Sequence, residues 1–154
     1  MAEPTDAQAL VNQWLAALGA RAGLALRLDE EGVCGVGHVS GMDCAIEVPD
    51  GGRSLYLRSP LASWPPRQPQ RIAEYCLQAQ FLGLETGGAS FAIDPRDGEL
   101  VLWKCVPLAA LDEEAMASLV VGFIEAAARW RESLLEADAT PADGTHASPL
   151  MAGV

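Results

Sequence analysis

Residues 81–106 read FLGLETGGASFAIDPRDGELVLWKCV. A helix must stop at Gly83, a turn follows at Gly87-Gly88, and two extended stretches, Ala89–Ile93 and Glu99–Val106, flank Asp94-Pro95-Arg96-Asp97-Gly98. Pro and Gly in so short a connection favour a tight reversal, so the two stretches form a hairpin. A glycine pair beside a hydroxyl residue can also cradle a phosphate, but such loops leave a strand and enter the positive N-terminus of a helix. Here the order is reversed, and no Lys or Arg stands between Arg71 and Arg96. The glycines therefore read as a connector that needs unusual backbone angles. In Leu100-Val101-Leu102-Trp103 both faces are apolar, which predicts a strand covered on both sides.

Upstream, a helix fits Gln70 to Leu82, with Ile72, Tyr75, Cys76, Ala79 and Leu82 on one side and Gly83 as its stop. Before it, SPLASWPPRQPQ holds four prolines, which withhold backbone donors and read as a linker that no central strand crosses. From Leu24 to Ser59 the period is two: Leu24/Leu26/Leu28 as a lead-in strand, then Cys34/Val36, Cys44/Ile46/Val48 and Leu55/Leu57. The breaks at Asp29-Glu30-Glu31-Gly32, Ser40-Gly41 and Pro49-Asp50-Gly51-Gly52 are hairpin-like turns. The first helix starts at Thr5-Asp6-Ala7-Gln8, which has capping-box form. It carries Leu10, Val11, Trp14, Leu15 and Leu18 on one face, with Gly19 and Gly23 as stopping points. Downstream, Asp112 is placed to cap a last helix whose stripe is Met116, Leu119, Val120, Phe123, Ala127, Trp130 and Leu134. The whole predicts an α+β fold, helix–three strands–helix–two strands–helix on an antiparallel sheet, with one domain over residues 1–137 and a flexible C-terminal tail at 138–154.

The net charge of -11 repels phosphate backbones and anionic lipid, so neither nucleic acid nor membrane insertion is expected. No apolar run approaches the roughly 18 residues of a spanning helix, and the opening MAEPTDAQ lacks the features of a secretory signal. A cytoplasmic protein is expected. Cys34, Cys44, Cys76 and Cys105 form no CxxC pair and read as reduced core residues. His38 and His146 are the only histidines, His146 in the expected tail, and no GxSxG, HExxH or P-loop pattern occurs. No catalytic residue, cofactor or metal is therefore assigned. The one constellation that invites a different reading, a small metal-binding protein or enzyme, is Cys34, His38 and Cys44, which lacks a fourth ligand. Trp14 and Trp130 lie on core stripes, whereas Trp103 is open between core and interface.

The order of elements, and the pieces LRLDEEGVCGV, AIEVPDGGRSLYLRSPL, FLGLETGGASFAIDP, GELVLWKCVPL and LDEEAMASLVVGFIEAAARWRESL, resemble the class I type III secretion chaperones, the CesT-like family, over about residues 5–136. The resemblance implies a bacterial, homodimeric, ATP-independent chaperone that is not an enzyme. It would bind an extended N-terminal segment of a secreted effector by strand addition and apolar anchors, with the secretion ATPase as a further candidate partner. It further implies a dimer interface on Tyr75, Phe91, Ile93, Val101 and Trp103, and effector contacts on Leu18, Val36, Ile46 and Leu57. Strand alternation gives Ile46 and Leu57 a competing reading as core. Gly35 and Gly37 depart from the pattern by weakening a strand the family needs.

Overall fold

The computed structural model describes residues 6–39 and 41–141, so Thr5, Ser40, His146 and most of the expected tail lie outside them. Helix α1 (Asp6–Ala22) buries Val11, Trp14, Leu15 and Gly19, an i, i+3, i+4, i+8 stripe that leaves Leu10 on the exposed flank. Gly19 does not stop α1 but lies within it, its carbonyl accepting from Leu24 N–H at 2.8 Å. Gly23, with φ of 69°, ends the helix. Gln8 Nε2 donates to the Val48 carbonyl at 3.0 Å, tying α1 to the sheet.

No strand forms at Leu24–Leu28. Leu28 N–H donates to Asn12 Oδ1 of α1 instead, so the alternating leucines lie along the helix they have just left. The sheet comprises β1 (Val33–Gly37), β2 (Asp43–Glu47), β3 (Ser54–Ser63), β4 (Ser90–Asp94) and β5 (Glu99–Pro107), all antiparallel in the order β1-β2-β3-β5-β4. Helices α2 (Pro69–Ala79) and α3 (Glu113–Ala139) complete the fold. The hairpin of residues 90–107 forms as its turn requires, with β5 beside β3 and β4 at the edge.

The linker reading of SPLASWPPRQPQ fails at its start, because β3 runs through Pro60 to Ser63 beside β5. The register Ala45↔Arg58 places Pro60 opposite Asp43, where the β2 ladder has ended. A missing N–H facing that side leaves no ladder bond unmade. The buried hydroxyl of Ser59 donates to the Asp43 carbonyl in its place, and the strand bulges between Pro60 and Ala62.

One face of the sheet carries Cys34, Cys44, Ile46, Leu55, Leu57, Leu100 and Leu102, and these join Val11, Trp14 and Leu15 of α1 and Met116, Val120, Phe123 and Ala127 of α3 in a single core. Asp112 caps α3, its Oδ1 accepting from Ala115 N–H at 2.8 Å. The helix continues to Ala139, past the expected boundary at residue 137. Asp138 is accordingly structural: its carboxylate accepts from the backbone N–H groups of Arg67 and Gln68, which lead into α2. The opposite face, with Tyr56, Arg58, Val101, Trp103 and Cys105 by strand alternation, carries no helix of the described residues. Val101 is buried there, but Trp103 is 37% exposed, so the second cover expected over β5 is incomplete within one chain.

Candidate interaction surfaces

Helix α2 loses its period at Gln80, and a 3-10 turn follows at Phe81–Gly83. Leu82 takes φ of 55°, rare for a branched side chain. Gly83, Gly87 and Gly88 also have positive φ. Gly88 N–H donates to the Gly83 carbonyl at 3.0 Å, and the Thr86 hydroxyl donates to the Ala89 carbonyl at 2.6 Å. Lys104, the single lysine of the chain, reaches this loop from β5, but its Nζ donates to the Gly87 carbonyl at 2.6 Å. The glycine pair is a turn, and the cation that could have served a phosphate is held by the backbone.

Leu77 on the outer side of α2, and Phe81, Leu82 and Leu84 in and just after the turn, face outward, 65%, 70%, 75% and 79% exposed. Leu82, expected on the buried side of α2, is thus a surface residue. Leu77 and Ile93 line an apolar groove of about 280 Å3 between α2 and β4, with Trp64, Ala73, Cys76 and Phe91. Contiguous exposed apolar surface of this kind marks a contact site.

Of the expected dimer residues, Tyr75 and Phe91 lie inside the helix layer, both edge-on to Trp130 at 6.0 and 5.1 Å between ring centroids. Ile93 belongs to the groove, while Val101 and Trp103 lie on the helix-free face. The residues expected on one dimer surface are therefore divided between the two faces of the sheet. The register explains it: Phe91 pairs with Leu102 and Ile93 with Leu100, so they alternate against Val101 and Trp103. Leu77, Phe81 and Leu84 were missed. For Phe81 and Leu84 the signal was the apolar run Phe81-Leu82-Gly83-Leu84 leading into turn formers beyond the end of α2.

Of the expected effector contacts, Leu18 and Val36 are partly buried against the core. Ile46 and Leu57 are 0% exposed and directly opposite each other in the register. They are core residues, and their reading as exposed contacts is corrected.

The two sheet edges differ. On β1 the ladder bonds of Gly32 with Val48 and His38 with Met42 alternate with positions whose backbone groups face away from β2. Val33 uses its outward groups on Asp29, whose Oδ1 and N–H both meet it at 2.9 and 2.8 Å. Gly35 and Gly37, in the same phase, point outward along an edge that no strand of the described residues pairs. On β4 the outward N–H of Phe91 is taken by Gln80 Oε1 at 2.9 Å, so the end of α2 caps that edge.

Ion pairing concentrates on the helix-free face. Asp94 accepts from Arg96 Nε and a terminal guanidinium nitrogen at 3.2 and 3.0 Å, and Arg58 lies 3.7 Å from the same carboxylate. The Arg96 hydrogen bonds, with the charges of Arg96 and Arg58, lower the Asp94 pKa from 3.8 to about 2. A depressed carboxyl contributes stability above its unfolded pKa and loses it as pH falls through the folded one. The hairpin is therefore expected to weaken between pH 4 and 2, and Arg96→Ala should shrink that acid-sensitive step in a pH titration followed by circular dichroism.

Among the described residues no group of three His, Cys, Asp or Glu side chains is placed to hold a metal. Burial pushes the Cys44 thiol up to about 12, and that of Cys34 also upward, the opposite of a zinc-binding thiolate. His38 is exposed just after β1. Cys105, expected in the core, is exposed. Iodoacetamide on the native protein should label Cys105 and spare Cys34, Cys44 and Cys76, as peptide mapping would report; fast labelling of Cys44 would contradict this core.

The sheet leaves the β1 edge unpaired among the described residues, and the exposed apolar patch lies at the far side beside β4, two kinds of surface that extended and folded protein partners use. The chain belongs to the Tir chaperone protein (CesT) family, whose model matches residues 13–131. The fold is also that of a chain of the ExsC–ExsE complex, with TM-score 0.69, 20% identity and coverage of 84% of this chain and 97% of that one. A chain of the HopA1–SchA chaperone–effector complex gives 0.66 at 18% identity, covering 84% and 99%. The heterodimeric ExoU–SpcU complex from the type III secretion system of Pseudomonas aeruginosa gives 0.60 at 19%, covering 82% and 96%. No curated protein sequence matches the chain. No helix of the described residues is long and apolar enough to cross a membrane.

Proposed function

We propose that this chain is a homodimeric, cytoplasmic type III secretion chaperone that holds the N-terminal, non-globular segment of a secreted effector in extended form and performs no reaction itself. The observation that carries the reading is the family match over residues 13–131. The open β1 edge supports it, since backbone bonds to a sheet edge supply affinity while side-chain seats select. In this reading the patch at Leu77, Phe81 and Leu84, extended by the groove at Ile93, is the homodimer contact, and Leu18 and Val36 flank the effector path. The domain ending with α3 is the working unit, and the secretion ATPase is a second candidate partner.

Co-expression with secreted proteins encoded beside the gene, followed by gel filtration with light scattering, tests the proposal. The expected product is a dimer of this chain carrying one effector, released when the effector loses its N-terminal segment. A monomer that captures no such segment would sink it, and capture through a folded effector domain would point to an adaptor instead.

A further inference from the structure

We infer that the edge of β1 selects its partner strand by size, taking a segment with two bulky side chains, aromatic above all, at positions i and i+2 directly opposite Gly35 and Gly37. The inference rests on the chaperone reading for the source of that strand. The fold gives no reason of its own for glycine at these positions. Neither lies in the left-handed region, a Cβ at Gly35 would meet nothing within 4 Å, and one at Gly37 would meet only Asp43 Oδ1, at 3.6 Å. Glycine inside a strand costs stability, and where the chain's own geometry does not demand it, a close external approach is the physical reason left.

The register says what approaches and from which side. Gly35 and Gly37 direct their N–H and C=O groups out of the sheet, so each would form a bonded pair with one residue of an added strand. Their missing side chains belong to the helix-free face, where the next column inward is Ala45 opposite Gly35 and Asp43 opposite Gly37. The result is a low shelf bounded by Arg58, the neighbour of Ala45 on β3. A large side chain from the added strand can lie flat across Gly35 onto Ala45, whereas a small one would leave the shelf wet. Cross-strand pairing with an edge glycine gains most from an aromatic partner. Asp29, Glu30 and Glu31, exposed just before β1, add a charge requirement: the segment carries Lys or Arg beside its bulky pair.

The probe is a set of nine-residue peptides of alternating Thr and Ser with one terminal Arg, in which two same-face positions are both Ala, both Val or both Trp. Affinity is read by fluorescence anisotropy against the full chain. The Trp pair should bind about tenfold tighter than the Ala pair, and the Gly35 and Gly37 amides should gain protection from hydrogen exchange. In the Gly35→Val/Gly37→Val variant the Trp and Ala peptides should come within about twofold of each other. Valine favours a strand, and Gly35→Ala alone, with a partial loss of preference, serves if the double variant does not fold. Equal affinity across the series, tightest binding by the Ala pair, or unchanged exchange at Gly35 and Gly37 would overturn the inference. Native effector segments separate the two ideas. Capture of segments without a bulky pair sinks the size rule and leaves the chaperone reading, whereas a size preference without capture of any secreted protein sinks the chaperone reading alone.

Discussion

Replacing Gly32 with alanine is expected to cost about 3 to 5 kcal/mol of folding stability, a large share of what a domain of this size has. Two penalties add. Gly32 has φ of 78°, which an alanine adopts only with a strain of about 1 kcal/mol. A Cβ there would also stand 2.4 Å from the Val48 carbonyl oxygen and 2.7 Å from Gln8 Nε2, the first of which is backbone and cannot swing aside. Opening that contact breaks the 2.8 Å bond from Val48 N–H to the Gly32 carbonyl and the Gln8 bond that ties α1 to the sheet. Gly41→Ala is the control, since Gly41 has φ of 74° and no atom within 4 Å of the added Cβ. Urea melts should show Gly41→Ala losing about 1 kcal/mol; equal losses for the two variants would mean that the approach of Val48 is not what demands glycine.

Much of the architecture was legible because period and turn chemistry agree locally. The Pro95 to Gly98 reversal fixed the β4–β5 hairpin, Asp112 fixed the start of α3, and two-residue alternation marked β1 to β3. Failures came where a long-range partner decides. Proline at position 60 argues against a strand until β2 is seen to end opposite it, and the leucines at 24, 26 and 28 alternate like a strand but lack a neighbour to pair with. The site was less legible than the fold. Alternation put Ile46 and Leu57 on the helix-covered face, and only the carry-over from the family set contacts there. Whether Phe91 and Ile93 share a face with Val101 and Trp103 depends on hairpin register, which one residue of turn length would invert. Leu82 continued the helical period on paper, yet the chain leaves the helix at Gln80 before that residue can turn inward.

The Phe81→Glu/Leu84→Glu variant should abolish self-association while leaving the monomer folded. Both side chains are at least 70% exposed in the single chain, so their loss removes little from its core and a thermal melt at low concentration should barely move. In a two-fold dimer every contact occurs twice. Burying one Phe and one Leu is worth about 1.5 to 3 kcal/mol each, so the doubled loss is about 6 to 12 kcal/mol, more than four powers of ten in the dimer constant. The introduced charges act in the same direction, because each copy already carries -11. Sedimentation equilibrium at micromolar concentration reads the result directly. Trp103→Ala makes the comparison decisive, since that residue lies on the helix-free face and Phe81 and Leu84 at the end of α2. If Trp103→Ala yields monomers while the glutamate variant still dimerises, the second cover that β5 lacks is supplied by the partner across the helix-free face. The exposed leucines around the glycine turn would then need another occupant. If only the glutamate variant dissociates, the turn is what the dimer holds, and the strained backbone at Leu82 is the geometry that presents it.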